Sequence, residues 1–358
     1  MLIGSLKKGG SERVLVNLAE YLLEHGHQVT LVTQYQREGE YPLPAGARRV
    51  LSDITEAETT GSRVMNFYRR FTKLRRIWKK YEPDIILSFI GKNNMMALLT
   101  ARGLGIPVIV SVRGEPTQEY YNSWMRAAAR MLFKKASGII LQTKQAGEFF
   151  PAAVRNRAVI LKNPMNPAFF KPRYEGMREK KIVAVGRVDE NKNHWLLIRA
   201  FARLASEYPE YSLYIYGEGE CRMKLTDRVR EMKLADRIYL PGSIDKIEDV
   251  IYQSQVYVLC SNTEGVPNTL IEAMLLGLTV IATDCPCGGP AELISQGKNG
   301  ILTPVNDLDK MTENLQNVLK NLQYADELGR EASKIAELYD RDCICQSWVD
   351  YMKQAVKQ

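Results

Sequence analysis

Histidine, cysteine and long apolar runs are scarce in this sequence. It holds three histidines (His25, His27 and His194) and six cysteines in 358 residues. The cysteines (Cys221, Cys260, Cys285, Cys287, Cys343 and Cys345) form no Cys-x-x-Cys pair. These shortages exclude a zinc ribbon, a His-rich metal centre and a disulfide-stapled scaffold. No apolar run approaches the roughly 18 residues of a membrane span. Apolar patches such as 85–87 and 256–260 have strand length instead. The N-terminus lacks the charged, then apolar, then small-residue order of a secretory signal, so the thiols read as those of a cytoplasmic protein. Heptads, low-complexity tracts and a clean Gly-x-Gly-x-x-Gly fingerprint are missing as well. Gly217-Glu218-Gly219 follows a strand, but a lone Gly-x-Gly does not define a dinucleotide site.

What is there is ordinary globular material. The apolar fraction is 45% and the charged fraction 25%, which excludes a disordered or collagen-like chain. At roughly 150 residues per domain the length suggests two domains. Charge is uneven. Residues 1–173 carry 27 basic and 13 acidic side chains, net +14, and residues 174–358 carry 22 and 28, net −6. A basic half suits an anionic partner such as a membrane surface, a phosphorylated acceptor or nucleic acid, and scattered solvated charge is the plain alternative.

Short β-branched runs alternate with helical spacing along the chain. Strands are expected at 1–3, 29–33, 85–89, 108–112, 138–142 and 158–161. The prolines between 164 and 172 mark a linker over 164–173. The alternation then restarts, with strands at 181–185, 212–216, 237–240, 256–259 and 279–282, and helices starting near His194, Met223, Ile247, Leu270 and Gly289. Such alternation means βαβ units and parallel sheets. The reading is therefore α/β, with two doubly wound domains at 1–163 and 174–342 and a final helix at 343–358.

Three stretches carry chemistry. In Glu264-Gly265-Val266-Pro267-Asn268-Thr269-Leu270-Ile271-Glu272, a tight turn precedes a helix. The amides of Val266 through Leu270 then crowd a helix start, where N–H groups have no internal partner and suit an anion. Glu264 precedes the turn and Glu272 is expected two helical turns on, on the same side. An acidic loop with a surface glutamate is the plain alternative. In Gly186-Arg187-Val188-Asp189-Glu190-Asn191-Lys192, a strand ends and two cations follow. A guanidinium fork and a compact ammonium suit a diphosphate, although either cation alone reads as a solvated surface charge. In Lys7-Lys8-Gly9-Gly10-Ser11-Glu12, a glycine pair leads into a helix, either for phosphate approach or for a turn that needs φ > 0.

In this order the three stretches resemble glycosyltransferase family 4, of the GT-B fold. So do Tyr216-Gly217-Glu218-Gly219, Leu240-Pro241-Gly242, Thr283-Asp284-Cys285-Pro286, Gly288-Gly289-Pro290-Ala291-Glu292 and Asn299-Gly300. The resemblance covers nearly the whole chain. It implies two Rossmann-like domains facing across a cleft, the first binding acceptor and the second nucleotide sugar, with the last helix returning to the first. It also implies sugar transfer from a nucleotide diphosphate donor, a UDP-sugar, with retention and with neither metal nor cofactor. Arg187, Lys192 and the Gly9-Gly10 turn would hold the diphosphate and Glu264 would face the sugar. Glu272 would take the ribose, while Gly217, Ser243 and Ile244 would border the base. Gly265, Val266, Pro267, Asn268, Thr269 and Leu270 would meet sugar and phosphates. The acceptor, a surface or polyprenyl-diphosphate-linked glycan, would meet Asn93, Arg113 and Glu115. Many relatives carry a histidine where this chain has Arg113, so no histidine role carries over.

Residues 63–81 hold eight basic and no acidic side chains, with Phe67, Phe71, Leu74, Trp78 and Tyr81 at helical spacing. A basic amphipathic helix of this kind lies on an anionic bilayer, or packs its aromatic stripe on a sheet and turns its cations to water. Packing of the aromatics is the expectation, with the cations, and a second basic stretch at 126–135, left to serve a membrane. The leading reading is thus a transferase peripheral at the inner membrane face. A soluble transferase for a small acceptor, a sugar phosphorylase and a non-catalytic nucleotide-sugar binder are the alternatives. Nucleic acid is not expected, because the donor motifs lie in the acidic half.

Overall fold

A computed structural model describes residues 1–357. The chain forms two compact units, Met1–Pro164 with Arg341–Gln358, and Met165–Asp340. Each is a parallel sheet covered by helices.

The first sheet has seven strands: β1 (Leu2–Ile3), β2 (Thr30–Thr33), β3 (Arg48–Leu51), β4 (Ile86–Phe89), β5 (Val108–Ser111), β6 (Gly138–Leu141) and β7 (Ala158–Ile160). Their order is β3-β2-β1-β4-β5-β6-β7, so the winding reverses between β1 and β4. β1 is only two residues long yet central, pairing with both β2 and β4. β4, β5 and β6 are buried along their whole length, which is why they read as continuous apolar runs. β3 escaped the sequence reading because Arg-Arg-Val-Leu is not apolar. It is an edge strand, where cations discourage pairing with another chain.

The last helix, Arg341–Val356, belongs to this unit. Trp348 is fully buried, its Nε1 donates to the Lys162 carbonyl at 2.9 Å, and its ring stacks 6.0 Å from that of Phe89. Tyr351 Oη accepts from the Ile139 amide at 2.9 Å, which fastens the helix to β6.

The second sheet has six strands: β8 (Glu179–Val185), β9 (Ser212–Tyr216), β10 (Ile238–Gly242), β11 (Ser254–Leu259), β12 (Thr279–Asp284) and β13 (Ile301–Pro304). Their order is β10-β9-β8-β11-β12-β13, with the reversal between β8 and β11. β13 was not expected from sequence. It is a short edge strand closed by a proline, a residue that ends ladders. Helices His194–Leu204 and Leu308–Lys320 cover one face, and Ile198, Phe201, Leu315 and Val318 enter its core.

The helix Arg63–Tyr81 divides in two. Leu74, Ile77 and Trp78 are buried, with Trp78 Nε1 donating to Thr100 Oγ1 at 2.8 Å. Val64, Met65, Phe67 and Tyr68 are exposed. Packing of the stripe therefore holds for its C-terminal half only.

Candidate active site

In open parallel sheets, ligands gather beyond the strand C-termini where the winding reverses. In the second unit that place lies between the loops that follow β8 and β11. The β8 loop carries Arg187 and Lys192, and the β11 loop carries Glu264. The structure joins them directly, with Lys192 Nζ 2.5 Å from Glu264 Oε1 and each side chain 13% exposed.

The loops are tied by their own polar groups. Asp189 Oδ1 accepts the Lys192 amide at 2.9 Å, while its Oδ2 lies 3.2 Å from Arg187 Nη2. Asn191 and Thr263 bond reciprocally, Asn191 Nδ2 to the Thr263 carbonyl at 3.0 Å and Thr263 Oγ1 to Asn191 Oδ1 at 2.9 Å. Asn262 donates its amide to the Asn191 carbonyl at 2.7 Å. The Glu264 amide donates to the Pro286 carbonyl at 3.3 Å, fastening the β11 loop to the β12 loop. The sequence grouped the two cations together, and the structure separates them. Lys192 is locked in a largely covered ion pair, whereas the Arg187 side chain is 62% exposed and leans on Asp189.

Two glycines allow backbones to touch here. A Cβ on Gly289 would stand 1.5 Å from the Gly265 carbonyl oxygen, and one on Gly217 would stand 1.8 Å from that of Gly186. Gly217 therefore lets the β8 and β9 loops cross, and Gly289 lets its helix press on the Glu264 turn.

Burial removes rival chemistry. The His194 imidazole is buried, with Nε2 3.2 Å from the Arg187 carbonyl oxygen. Desolvation, then Lys192, bring its pKa down to about 4, so it is neutral at physiological pH. Burial raises the Cys260 and Cys285 thiols to about 12, which removes them as nucleophiles. Among the described residues no group of three or more His, Cys, Asp or Glu is placed to hold a metal ion.

Several expectations need adjustment. The helix begins at Asn268, so Glu272 lies one turn inside it, and Glu264 lies in the preceding loop rather than on a shared helix side. Glu272 is 1% exposed, so it is not a surface glutamate. The helix cap at Pro267 offers no side-chain hydrogen bond. The Leu270 and Ile271 amides both donate to the Pro267 carbonyl, at 3.1 and 3.3 Å. Thr269 Oγ1 accepts from Tyr257 Oη at 2.7 Å. Gly265, Val266 and Asn268 complete this turn, and Ser243 and Ile244 are exposed in the loop after β10.

Gly9, Gly10, Asn93, Arg113 and Glu115 belong to the first unit. Gly9 caps the helix Gly10–Glu24 in extended conformation, and neither glycine has positive φ, so the strained-turn reading is wrong. A Cβ on Gly9 would instead meet Glu12 Oε2 at 2.5 Å. Asn93 is buried, donating to the Phe89 carbonyl at 3.1 Å and accepting from Gln34 Nε2 at 3.0 Å. Glu115 caps a short helix, Oε1 accepting the Thr117 amide at 3.2 Å. Sequence reasoning passed over Glu119. Its Oε1 accepts the Arg113 and Gly114 amides, both at 2.8 Å, and its Oε2 the Gly91 amide at 2.9 Å. Burial raises its pKa, and these three amides oppose the rise. Asp189 was also left without a role, although an Asp whose carboxylate accepts a backbone amide a few residues on is a recognisable turn signal.

Two doubly wound parallel units in one chain are the architecture of the GT-B fold. Residues 8–169 match Glycosyltransferase Family 4 and residues 179–321 match Glycosyl transferases group 1. The chain belongs to glycosyltransferase family 4 and is a glycosyltransferase. One Campylobacter jejuni relative, GalNAc-alpha-(1->4)-GalNAc-alpha-(1->3)-diNAcBac-PP-undecaprenol alpha-1,4-N-acetyl-D-galactosaminyltransferase, is 24% identical over 352 residues, covering 97% of this chain and 96% of that one. A second from the same organism, N-acetylgalactosamine-N,N'-diacetylbacillosaminyl-diphospho-undecaprenol 4-alpha-N-acetylgalactosaminyltransferase, is 25% identical and covers 98% of each. Among solved structures, HepE of Anabaena in complex with UDP and glucose superposes with a TM-score of 0.82 at 17% identity, covering 98% of each chain.

Proposed function

We propose that the protein transfers a hexosyl or N-acetylhexosaminyl group, with retention, from a UDP-sugar to a polyprenyl-diphosphate-linked or surface glycan at the cytoplasmic membrane face. The observation that carries this reading is the Lys192–Glu264 pair at the reversal of the second sheet. The names of the Campylobacter relatives and the UDP held by HepE support the acceptor and the donor.

The geometry suits the chemistry without a metal. Departure of a nucleotide diphosphate leaves negative charge on phosphate oxygens. Lys192, already held in place by Glu264 and by the hydrogen bond from its backbone amide to Asp189, offers preorganised positive charge there. Arg187 is free to swing from Asp189 and add a planar fork. Glu264, sharing the pair, faces the sugar ring where positive charge develops, and Glu272 takes the ribose hydroxyls. A nucleotide-sugar screen tests the reading. A donor present at 100 times its dissociation constant should stabilise the fold by about 2.7 kcal/mol. Turnover on a polyprenyl-diphosphate glycan should survive EDTA. Loss of turnover in EDTA, or the absence of any stabilising nucleotide sugar, would count against it.

The two glutamates should fail differently. Glu264→Gln should lower turnover and leave UDP affinity near wild type, because UDP lacks the sugar. Glu272→Gln, which keeps the volume of this buried side chain, should weaken UDP by about 1.5–3 kcal/mol, the worth of a charge-assisted hydrogen bond. Titration calorimetry with initial rates separates them, and the opposite pattern reverses the assignment.

The membrane part rests on the first unit. The apolar side chains exposed on its Arg63–Tyr81 helix, Val64, Met65, Phe67 and Tyr68, are joined by Trp124 and Met131 on the helix Ser123–Leu132. Many nearby cations are occupied internally. Arg70 pairs with Asp53 at 2.6 Å, and Arg75 Nη1 donates to the Thr100 and Arg102 carbonyls at 2.8 and 2.7 Å. Arg63, Arg76, Lys79 and Lys80 are exposed and available to lipid phosphates, each worth about 1 kcal/mol near an anionic surface. Among the described residues no helix is long and apolar enough to cross a membrane. Liposome binding should rise with anionic lipid and fall with salt. It should weaken when these four cations become Gln with the thermal midpoint unchanged. Binding indifferent to lipid charge would show the helix to be only a solvated face.

A further inference from the structure

Arg113 follows β5 in the first unit and is only 7% exposed. Its guanidinium carbon lies 5.4 Å from the Phe89 centroid and 5.8 Å from that of Trp348. Its side chain makes a single hydrogen bond, from Nη2 to Asn163 Oδ1 at 2.5 Å. That oxygen is shared, because Gln142 Nε2 also donates to it at 3.0 Å. Nε and Nη1 are buried without any partner. The nearby carboxylate of Glu119 spends its oxygens on three backbone amides rather than on the guanidinium. Burial lowers the Arg113 pKa to about 10, with Glu119 and Glu12 opposing, so the group is charged at neutral pH.

Nearby elements hold other buried polar atoms without a partner. Ser111 Oγ, two residues back along the chain, is buried without a partner. So are Asn94 Oδ1, on the helix whose amide Nδ2 holds the Ser111 carbonyl, and Ser88 Oγ on β4. Five of the eight such atoms among the described residues thus gather around β4 and β5. Buried polar atoms are rarely left unbonded, and a buried cation with spare N–H groups least of all. A buried guanidinium beside two rings and bonded through one nitrogen keeps the rest of its planar fork for an acceptor, and that fork matches two oxygens of one anion.

We propose that Arg113 forms the core of an oxyanion subsite in the first unit, which receives a phosphate or carboxylate group of the substrate. The proposed function bears only on where that group comes from, a polyprenyl diphosphate or an acidic sugar. The site itself stands on the buried, unpartnered Nε and Nη1 of Arg113.

The test is calorimetry on the full chain with UDP in excess, so that the donor site is filled, using inorganic pyrophosphate, glucuronate and glucose as probes. One or both anions should bind at a single additional site, and glucose should not. Arg113→Gln should weaken that binding at least about tenfold, and Arg113→Lys, which keeps the charge but loses the fork, by less. Pyrophosphate alone identifies a phosphate source, and glucuronate alone a sugar acid. Binding of neither anion up to about 10 mM would overturn the proposal and leave buried water as the partner. Equal binding by wild type and Arg113→Gln would overturn it too. The wild-type titration decides even if Arg113→Gln does not fold. Should UDP fail to bind, the same anion titrations on Lys192→Ala without UDP keep this question apart from the donor reading.

Discussion

Lys192→Ala is expected to cut turnover about 100- to 1,000-fold, a loss of roughly 2.7–4 kcal/mol of transition-state stabilisation from removing one preorganised electrostatic partner. Arg187→Ala should fall in the same range. The two should differ in stability. Lys192 is half of a largely covered pair, and its removal leaves Glu264 facing no cation, which lowers the thermal midpoint. Arg187 is mostly exposed and leans only on Asp189, so its loss should leave the midpoint unchanged. Lys192→Ala combined with Glu264→Gln should regain the stability and none of the rate. Initial rates and thermal melts on the three variants check this. Wild-type turnover in both single variants would contradict it.

Gly289→Ala should be more damaging than any surface change in the second unit. Its new Cβ would stand 1.5 Å from the Gly265 carbonyl oxygen, backbone against backbone, where no side chain can swing aside. Overpacking ordinarily costs about 1–3 kcal/mol, and a forced backbone displacement belongs at or beyond the upper end. The strain falls on the turn that carries Glu264, so nucleotide affinity should be lost together with stability. Gly217→Ala should behave similarly, since its Cβ would meet the Gly186 carbonyl oxygen at 1.8 Å. Gly61→Ala is the control, because no atom lies within 4 Å of the added carbon. Chemical denaturation with UDP titration measures both effects. A Gly289→Ala protein as stable as Gly61→Ala would show that the turn yields freely.

Much of this architecture is legible in sequence because fully buried parallel strands are continuous apolar runs. β4, β5, β6 and β11 fit that rule. β3 and β13 do not, since edge strands bury less and tolerate Arg or Pro. The loop residues of the site were legible by type, because Arg, Lys, Glu and Gly after strand ends are the groups that meet phosphates and sugars. Their pairing was not. Lys192 and Glu264 lie 72 residues apart, and only the parallel order of β8 beside β11 brings their loops together. The reach of Glu272 was misjudged because helix periodicity was carried back through Pro267, where the helix has not begun. Arg113 was legible as an acceptor contact by resemblance, but its burial was not. Its burial depends on Trp348, more than two hundred residues later, whose ring no local pattern places beside it.

The most direct test of the central claim is calorimetric titration of UDP into the wild-type chain and Lys192→Ala. The account expects one UDP per chain for wild type and affinity at least about tenfold weaker for Lys192→Ala, as befits a lost charge-assisted contact. Absence of UDP binding to the wild type, or equal affinity in the two proteins, would contradict it.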